Sequence, residues 1–429
     1  MELAVPSEGR RASHRNVVLA FLVLIYAFNT IDRQIIAILQ EPIRADFGLE
    51  DWQLGLLSGS AFALFYTIIG LPIARYTDRG GNRVTIISTA LGLWSLLTAA
   101  CGLAQNYVQL LLFRMGVGVG EAGCIPPSQS LIADYFAPRE RGRAMGIYTS
   151  GIAIGALAGI MGGSWLAQAF GWRNALIMVG LPGIAVALLF KLIAREPPRG
   201  MADGGRLEAD LTIPTGQALR ILMANRTYRQ IAAGGSLCAV ATIGFSFWVP
   251  SFLIRNHGLS LAQVGTWWGL IFGFSGLVGA MLGGYLCDRL GRKDPKGILL
   301  IPVATMLLAI PFQIAGIVAG DPVLALVLFL VPTIAYSIWI VPMFTLSQGL
   351  VPVGVRATSS AVLSFIVNMV GLGFGPLLIG IISDYSGYLA GDAATGLRWA
   401  LLVLTASNIW AALHFFLGMR TIAGDLVSR

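Results

Sequence analysis

About twelve apolar stretches, each some 20 residues long, constrain the fold of this chain more than any other feature. An α-helix needs about 20 apolar residues to cross the hydrocarbon core of a bilayer. The 429 residues are 56% hydrophobic and only 12% charged, about half the charged content of a soluble protein. β-barrels are disfavoured, because their strands alternate over about ten residues instead of forming continuous apolar runs. We therefore predict an all-α integral membrane protein with about twelve transmembrane helices. The stretches begin near Val17, Gln53, Val84, Tyr107, Ala144, Asn174, Tyr228, Gln263, Gly297, Pro322, Ala357 and Leu397.

The distribution of basic residues predicts how these helices are oriented. If the amino terminus is cytoplasmic, 23 of the 29 Lys and Arg residues fall in cytoplasmic segments, in agreement with the positive-inside rule. Membrane topology thus explains the net charge of +8, and we expect no nucleic-acid partner. The first apolar stretch is too long for a signal peptide and lacks a small-residue cleavage site. We predict a multi-pass protein of a bacterial inner (cytoplasmic) membrane with both termini in the cytoplasm.

A polar segment divides the apolar stretches into two groups of six. It runs from Arg195 to about Arg226 and contains Pro197-Pro198 and Gly204-Gly205, residues that are typical of loops and linkers. We predict a cytoplasmic tail over 1–16, a six-helix bundle over 17–194, a cytoplasmic linker over 195–226, a second six-helix bundle over 227–419 and a cytoplasmic tail over 420–429.

Two landmarks of the first group recur in the second group at almost the same spacing. Asp78 after the second stretch corresponds to Asp288 after the eighth, 210 positions later. Arg143 before the fifth stretch corresponds to Arg356 before the eleventh, 213 positions later. Two landmarks with nearly one offset indicate a duplicated six-helix unit. Two-domain transporters of this size are built from such parallel repeats, with a substrate site between the halves near the bilayer midplane.

The loop at 284–293 has the pattern G-x-x-x-D-R-x-G-R-K, which resembles the signature of the major facilitator superfamily. The counterpart at 78–83 is weaker, because Ala74 replaces the glycine and Asn82 replaces the first basic residue. The resemblance implies two pseudo-symmetric six-helix bundles, with loops that form a cytoplasmic latch in one conformation and release it in another. An ordinary turn rich in basic residues is the alternative interpretation. The expected latch residues are Asp78, Arg79, Arg83, Asp134, Arg141, Gly284, Asp288, Arg289 and Arg292.

Three motifs narrow the resemblance to the Spinster-like subfamily. They are N-x-x-D-R at 29–33, G-V-G-E-A at 118–122 and the run L-I-A-D-Y-F at 131–136, which is followed by Arg141 and Arg143. Beyond the fifth helix the likeness becomes generic. The subfamily carries out proton-linked movement of amphiphiles such as lysophospholipids or sphingoid lipids, so the resemblance implies this substrate class.

Asp32, Arg33, Arg114 and Glu121 lie inside apolar stretches of the first half, where charged residues are costly and usually functional. Helical spacing places Asn29, Asp32 and Arg33 on one face of the first helix, and it places Arg114 and Glu121 on one face of the fourth. Burial favours the neutral form of a carboxyl group, whereas a nearby guanidinium favours the carboxylate. We hypothesise that Asp32 and Glu121 carry the coupled proton, with Arg114 and also Arg33 as movable counter-charges. A static ion network that packs the two helices together is the alternative.

The second half carries no comparable charge in its apolar stretches and offers aromatic and neutral polar residues instead. A cavity with one charged wall and one aromatic wall suits an amphiphile, although aromatic residues also commonly face lipid at membrane interfaces. Arg255, near the outer end of the seventh helix, is expected to be a surface residue, with contact to an anionic headgroup as the alternative. The candidate substrate-binding residues are Asn29, Phe245, Trp248, Tyr336, Trp339 and Asn368.

The sequence lacks the motifs of other functional classes. No lysine is followed by Ser or Thr, so there is no P-loop for ATP hydrolysis, and the three histidines are scattered. We therefore expect no enzyme, no metal and no cofactor beyond the coupling proton; a receptor or a channel is a further alternative. The sequence predicts a monomeric, proton-coupled secondary transporter that moves an amphiphilic, lipid-like substrate by alternating access. A small organic anion or drug is the alternative substrate.

Overall fold

Almost all of the described chain is α-helical. The computed structural model describes residues 8–203, 215–292, 294–352 and 355–425. Within these ranges there is no strand, and twelve helical spans are long and apolar enough to cross a bilayer. The predicted fold class, an all-α protein with about twelve transmembrane helices, is therefore confirmed. The spans are His14–Ile38, Asp51–Thr77, Arg83–Cys101, Tyr107–Tyr135, Pro138–Phe170, Trp172–Ile193, Arg226–His257, Leu261–Gly291, Lys296–Val318, Pro322–Gly349, Thr358–Ala390 and Ala393–Asp425.

Several of these spans consist of more than one helix. Two π-helical turns, Leu56–Ser60 and Ala158–Gly162, lie inside the second and fifth spans. The helices are α1 Glu8–Ile38, α2 Gln40–Phe47, α3 Asp51–Gly55, α4 Ala61–Asp78, α5 Arg83–Cys101, α6 Tyr107–Glu121, α7 Ile125–Tyr135, α8 Pro138–Leu157, α9 Gly163–Phe170, α10 Trp172–Ile193, α11 Thr215–Ala224, α12 Arg226–His257, α13 Leu261–Gly291, α14 Lys296–Val318, α15 Pro322–Ile338, α16 Ile340–Gly349, α17 Arg356–Ala390 and α18 Ala393–Asp425.

The chain divides into two compact units by its internal contacts. The first unit comprises Met1–Ile35 and Leu64–Ala209, and the second comprises Ile36–Ala63 and Asp210–Arg429. The second unit therefore includes the end of α1 together with α2, α3 and the start of α4, which the sequence assigned to the first bundle. The bundle and linker limits drawn from the sequence stay predictions, and part of the expected linker, 204–214, lies outside the described residues.

Close packing of α8 on α1 organises the first unit. Gly151, Gly155 and Gly159 lie along the face of the fifth span that contacts α1. A Cβ atom on Gly151 would lie 2.6 Å from the carbonyl oxygen of Val23, closer than non-bonded atoms approach. Small residues of this kind let two helix backbones come together in a membrane. Larger side chains here would separate α8 from the helix that carries Asp32.

A break in the fourth span positions one of the buried charges. Helix α6 ends at Glu121, and after a three-residue turn helix α7 begins at Ile125 with prolines in its first turn. Proline is tolerated in the first turn because the backbone N–H that it lacks has no partner inside the helix at that position. Glu121 is consequently the last residue of α6, and it is fully buried.

Candidate functional site

A buried ion pair joins α1 to the end of α6 in the first unit. The Arg33 guanidinium donates through Nε to Glu121 Oε2 at 2.8 Å, and Asn29 Nδ2 donates to the same oxygen at 2.9 Å. Both donors come from one face of α1, as helical spacing predicts. Glu121 is fully buried, whereas the Arg33 side chain is 24% exposed. The structure thus brings together Asn29, Arg33 and Glu121, three of the residues selected from the sequence.

The Arg33 side chain also lies over an aromatic ring. Its guanidinium carbon is 4.7 Å from the centre of the Tyr66 ring on α4, within the range of a cation–π interaction. Arg33 therefore has two favourable neighbours, a carboxylate and a ring. A guanidinium held in this way keeps a favourable contact when the charge on the carboxylate changes.

Asp32 and Arg114 complete the charged cluster. Both are 2% exposed, and Arg114 interacts electrostatically with both Glu121 and Asp32. Thr98 and Trp94, on α5, lie beside the Asp32 carboxyl group. The roles proposed for Asp32, Arg33, Arg114 and Glu121 remain predictions, but the first unit does bring these side chains into one cluster.

Several buried polar atoms of this cluster make no hydrogen bond within the described residues. Such an atom costs about 1–3 kcal/mol, so a concentration of them in a native fold calls for an explanation such as a catalytic or ion-binding role. An exchangeable proton, a water molecule or a polar group of a ligand would each satisfy them. The atoms are Glu121 Oε1 and three that lie beside one another and interact, Asp32 Oδ1, Trp94 Nε1 and Thr98 Oγ1.

Four aromatic residues selected as substrate-binding candidates are buried within the second unit. Phe245 packs edge-on against the Tyr336 ring, with ring centres 5.9 Å apart. Trp248 Nε1 donates to the carbonyl oxygen of Pro376 at 2.9 Å, and Trp339 Nε1 donates to Thr242 at 3.2 Å. Their exposed fractions are between 0% and 3%, so in this structure they serve as core residues. A role in substrate binding remains a prediction.

Asn368, the other second-half candidate, is placed differently. It is exposed, and its Nδ2 donates to the carbonyl oxygen of Ser364 one turn earlier on α17, at 2.9 Å. This bond is local to the helix, so the side chain does not join the buried polar groups of the unit. Its proposed role is likewise untested.

Sequence reasoning missed a neutral polar network in the second unit. The Tyr336 hydroxyl donates to Gln313 Oε1 at 2.6 Å, and Asn408 Nδ2 donates to the Tyr336 hydroxyl at 2.8 Å. Gln313 and Asn408 are fully buried. A sequence signal for both residues exists, because each is the single amide residue of a largely apolar helix. Gln313 lies in α14 and Asn408 in α18.

The latch residues of the first unit surround a buried arginine. Arg83, which is fully buried, forms ion pairs with Asp134 and with Glu196, the latter at 2.6 Å. Asp134 Oδ1 also accepts a hydrogen bond from the backbone N–H of Gly200 at 2.9 Å. Arg141 donates to the carbonyl oxygen of Ala133 at 2.7 Å. The segment after α10 is thereby attached to the start of α5, a contact that the sequence did not predict.

Among the side chains that the structure describes, the remaining latch candidates form no ion pair of this kind. Arg289 donates to the Tyr285 hydroxyl at 2.7 Å, one turn earlier on its own helix, and the Asp78 side chain lies outside the described part of the structure. Whether the two loops open and close as a latch therefore stays a prediction. Exposed positions are occupied by Arg79, Asp288, Arg289 and Arg292, with Gly284 partly buried.

An ion cluster at one end of the second unit was also missed. Arg255 donates to both carboxylate oxygens of Asp51 at 2.7 Å, and its Nε donates to Glu41 at 2.8 Å. The Ser383 hydroxyl donates to Asp51 Oδ2 at 2.6 Å. The expectation of a surface-exposed Arg255 is wrong, since its side chain is only 6% exposed. Its partners lie more than 200 positions earlier in the chain, so no local pattern could indicate them.

The fold agrees with the comparison to known families. Residues 22–376 match the sequence profile of the Major Facilitator Superfamily. The chain belongs to this superfamily. Superfamily membership confirms the predicted transporter architecture, and it also confirms that the protein is not an enzyme.

Relatives of known structure and function place the protein among the Spinster-like members of the superfamily. A crystal structure of a bacterial homologue of the human lysosomal transporter Spinster, in an inward-facing and unoccupied conformation, is similar with a TM-score of 0.90 and 32% identity, covering 97% of this chain and 99% of that one. An MFS-type efflux pump of Mycolicibacterium smegmatis is 31% identical, covering 95% of this chain and 93% of the pump. A hexuronate transporter of Bacillus subtilis is 26% identical, covering 95% of each chain. The resemblance to the Spinster-like subfamily is thereby confirmed.

Proposed function

We propose that this protein is a proton-coupled secondary transporter of an amphiphilic, lipid-like substrate, working by alternating access. The observation that carries the proposal is the incomplete hydrogen bonding of the Glu121 carboxylate. One oxygen accepts hydrogen bonds from Arg33 and Asn29, and the other makes none within the described residues. Nearby, the buried Asp32 carboxyl group interacts with Thr98 and Trp94. The cluster therefore offers two buried carboxyl groups with positions for a proton.

Protonation of Glu121 changes what holds α1 to the end of α6. Hydrogen bonds between charged partners are roughly twice as strong as those between neutral partners. A proton on Glu121 removes one charge of the pair and weakens the attachment of Arg33, while the Tyr66 ring provides an alternative neighbour for the guanidinium. Protonation of Glu121 thus shifts the balance between two arrangements, one with Arg33 on Glu121 and one with Arg33 on the Tyr66 ring. Such a shift is what a coupled conformational switch requires.

The charge balance of the cluster also favours a particular substrate chemistry. With Asp32 and Glu121 ionised, two carboxylates balance the guanidinium groups of Arg33 and Arg114. Addition of one proton leaves one positive charge uncompensated in a buried environment, which is unfavourable unless another anion supplies the balance. A phosphate or carboxylate group of an amphiphile can do so. The choice of a lipid-like molecule follows from the resemblance to the Spinster-like subfamily, and the likeness to a hexuronate transporter favours a small organic anion as the second candidate.

Flux measurements in liposomes test the proposal directly. The purified protein is reconstituted, and uptake of a lysophospholipid, a sphingoid lipid and a hexuronate is measured at two external pH values, with and without a protonophore. We expect the pH gradient to drive flux of an amphiphile and the protonophore to abolish that driven component. Driven flux of the hexuronate alone would favour the second candidate, and flux that ignores the gradient for every substrate would contradict proton coupling.

Substitution of the buried carboxyl groups separates a proton carrier from a packing contact. We expect Glu121→Gln and Asp32→Asn to abolish gradient-driven flux while substrate exchange at equal pH on both sides continues. Glu140→Gln is a matched control, because it breaks an Arg–Glu pair, Arg15–Glu140, that lies at an exposed position. Gradient-driven flux that persists in both Glu121→Gln and Asp32→Asn would disprove the proton role. Loss of exchange together with driven flux in well-folded variants would instead indicate a role in substrate binding.

A further inference from the structure

A cavity separates α1 from α8 at the end of the first unit where both spans begin. In the carboxy-terminal half of α8, Gly151 and Gly155 contact α1. Nearer the amino-terminal end of α8, Ala144 and Ile147 occupy the side of the helix that faces α1. The helices diverge there and enclose a cavity of about 400 Å³. Binding sites for small molecules have volumes of roughly 300–1,000 Å³. The cavity is lined by Arg15, Asn16, Leu19, Ala20, Phe136, Glu140, Arg143, Ala144 and Ile147.

Polar and apolar groups occupy opposite ends of this cavity. The spans begin at His14 and Pro138, so Arg15 lies in the first turn of its span and Arg143 in the second, near the membrane boundary. Ile147 lies about 6 Å deeper than Arg143 along α8, at 1.5 Å per residue. Apolar side chains line the deeper part, and Ile147 remains 43% exposed. The cavity therefore has the polarity of the membrane that surrounds it, with a charged mouth and an apolar interior.

The mouth of the cavity carries an excess of positive charge. Glu140 uses both carboxylate oxygens to accept hydrogen bonds from Arg15, at 2.6 and 2.9 Å. The Arg15 guanidinium also lies over the Phe136 ring, 5.0 Å from its centre. Because Glu140 is already neutralised by Arg15, the exposed Arg143 guanidinium supplies one net positive charge at the mouth.

We infer that this cavity is a binding site for an anionic phospholipid of the surrounding leaflet, with the phosphate at Arg143 and an acyl chain between α1 and α8. Basic pockets between transmembrane helices near the cytoplasmic surface bind the head groups of anionic lipids. The apolar part of the cavity is exposed at membrane depth and is therefore accessible to acyl chains. A soluble anion would make no favourable contact with these apolar side chains. The site is distinct from the charged cluster, because Arg15 and Asp32 are 17 residues apart on α1, or about 25 Å along the helix axis.

Native mass spectrometry of the full-length protein in detergent tests the inference. The protein is titrated with dioleoylphosphatidylglycerol and, separately, with dioleoylphosphatidylcholine, and the fraction with bound lipid is measured. A basic residue near the membrane surface contributes about 1 kcal/mol to the binding of anionic lipid, so we expect phosphatidylglycerol to bind about fivefold more tightly. The head group without acyl chains, glycerophosphoglycerol, is expected not to displace it.

Three variants locate the site. Arg143→Gln is expected to remove the preference for phosphatidylglycerol, whereas Arg139→Gln, a loss of the same charge at an exposed position on the same helix that does not line the cavity, is expected to keep it. Ala20→Phe places a ring in the apolar part of the cavity from an exposed position and is expected to reduce the binding of both lipids. Equal affinity of the wild-type protein for the two lipids, equal effects of Arg143→Gln and Arg139→Gln, or displacement by glycerophosphoglycerol would each overturn the inference. Melting temperatures of the variants confirm that a loss of binding does not reflect unfolding.

Discussion

The two units of the protein bury polar groups in opposite ways. In the first unit, Arg33 and Glu121 form an ion pair in a cluster in which several polar atoms lack a hydrogen-bond partner among the described residues. In the second unit, Gln313, Tyr336 and Asn408 form a neutral network whose members bond to one another, and of its side-chain atoms Gln313 Nε2 makes no hydrogen bond among the described residues. A proton changes the charge of a carboxylate, but the amides do not titrate and a tyrosine does so only near pH 10. We therefore expect a change of pH in the physiological range to act on the charged cluster of the first unit and to leave the neutral network of the second unchanged.

The charges of the second unit sharpen this comparison. The Asp51 side chain is 2% exposed, and both its oxygens accept hydrogen bonds from Arg255, one of them also from Ser383. Each oxygen of this carboxylate therefore has at least one donor. Glu121, by contrast, has one oxygen with donors and one without. Both are buried carboxylates paired with arginine, and we expect the one that has an oxygen without donors, Glu121, to exchange a proton.

Removal of Arg33 should have the largest effect on stability. Arg33→Ala leaves a fully buried Glu121 without its ion pair, and breaking a buried pair in this way typically costs about 3–5 kcal/mol. The loss should be greater at high pH, where Arg114 is left as the one guanidinium beside the two carboxylates of Glu121 and Asp32, and smaller at low pH, where a proton neutralises Glu121. Unfolding midpoints in detergent at pH 5.5 and pH 8 measure this difference. The double variant Arg33→Ala, Glu121→Gln should recover much of the stability, and a double variant as unstable as the single one would show that the charge is not the cause.

Replacement of Arg255 by lysine should have an intermediate effect. Lysine keeps the charge but cannot reproduce the paired donation to Asp51 together with the bond to Glu41. The expected cost is about 1–3 kcal/mol, the penalty for a buried acceptor that loses its donor. The effect should vary little between pH 5.5 and pH 8, because lysine and arginine both carry a positive charge over this range. A strong pH dependence of the Arg255→Lys effect would contradict the distinction between a carboxylate with donors on both oxygens and one with donors on a single oxygen.

The smallest effect is expected in the neutral network. Tyr336→Phe removes a hydroxyl that bonds to Gln313 and Asn408, at a cost of about 1 kcal/mol, the net value of a typical hydrogen bond. Asn408 and Gln313 still bond directly, at 3.1 Å, which limits the loss. The change in unfolding midpoint should be the same at both pH values, and gradient-driven transport should continue. A pH-dependent loss of driven transport in this variant would place the neutral network in the proton pathway. It would contradict the expectation that pH acts on the charged cluster of the first unit and not on this network.

Local patterns in the sequence predicted a substantial part of the candidate site. The spacing of Asn29 and Arg33 on α1 is a property of the helix itself, and it correctly indicated two side chains that act together, here on Glu121. The hypothesis named Arg114 first as the counter-charge and Arg33 second. The structure shows a direct ion pair between Arg33 and Glu121, while the movable role of either arginine remains a prediction. Which arginine approaches the carboxylate depends on how α1 and α6 are rotated about their axes, and helical spacing carries no information on that.

By itself, the sequence determined that the chain is a helical membrane protein with a duplicated architecture and a charged first half. Length, hydropathy and spacing are read along the chain, and the cost of burying unpaired backbone groups in lipid leaves few alternatives. Only the tertiary structure decided the pairing of Arg83 with Glu196, of Arg255 with Asp51, and of Gln313 with Tyr336 and Asn408. These partners are separated by 23 to more than 200 positions. Hydrogen bonds act over about 3 Å, so the packing of the helices, rather than any local pattern, selects the partner.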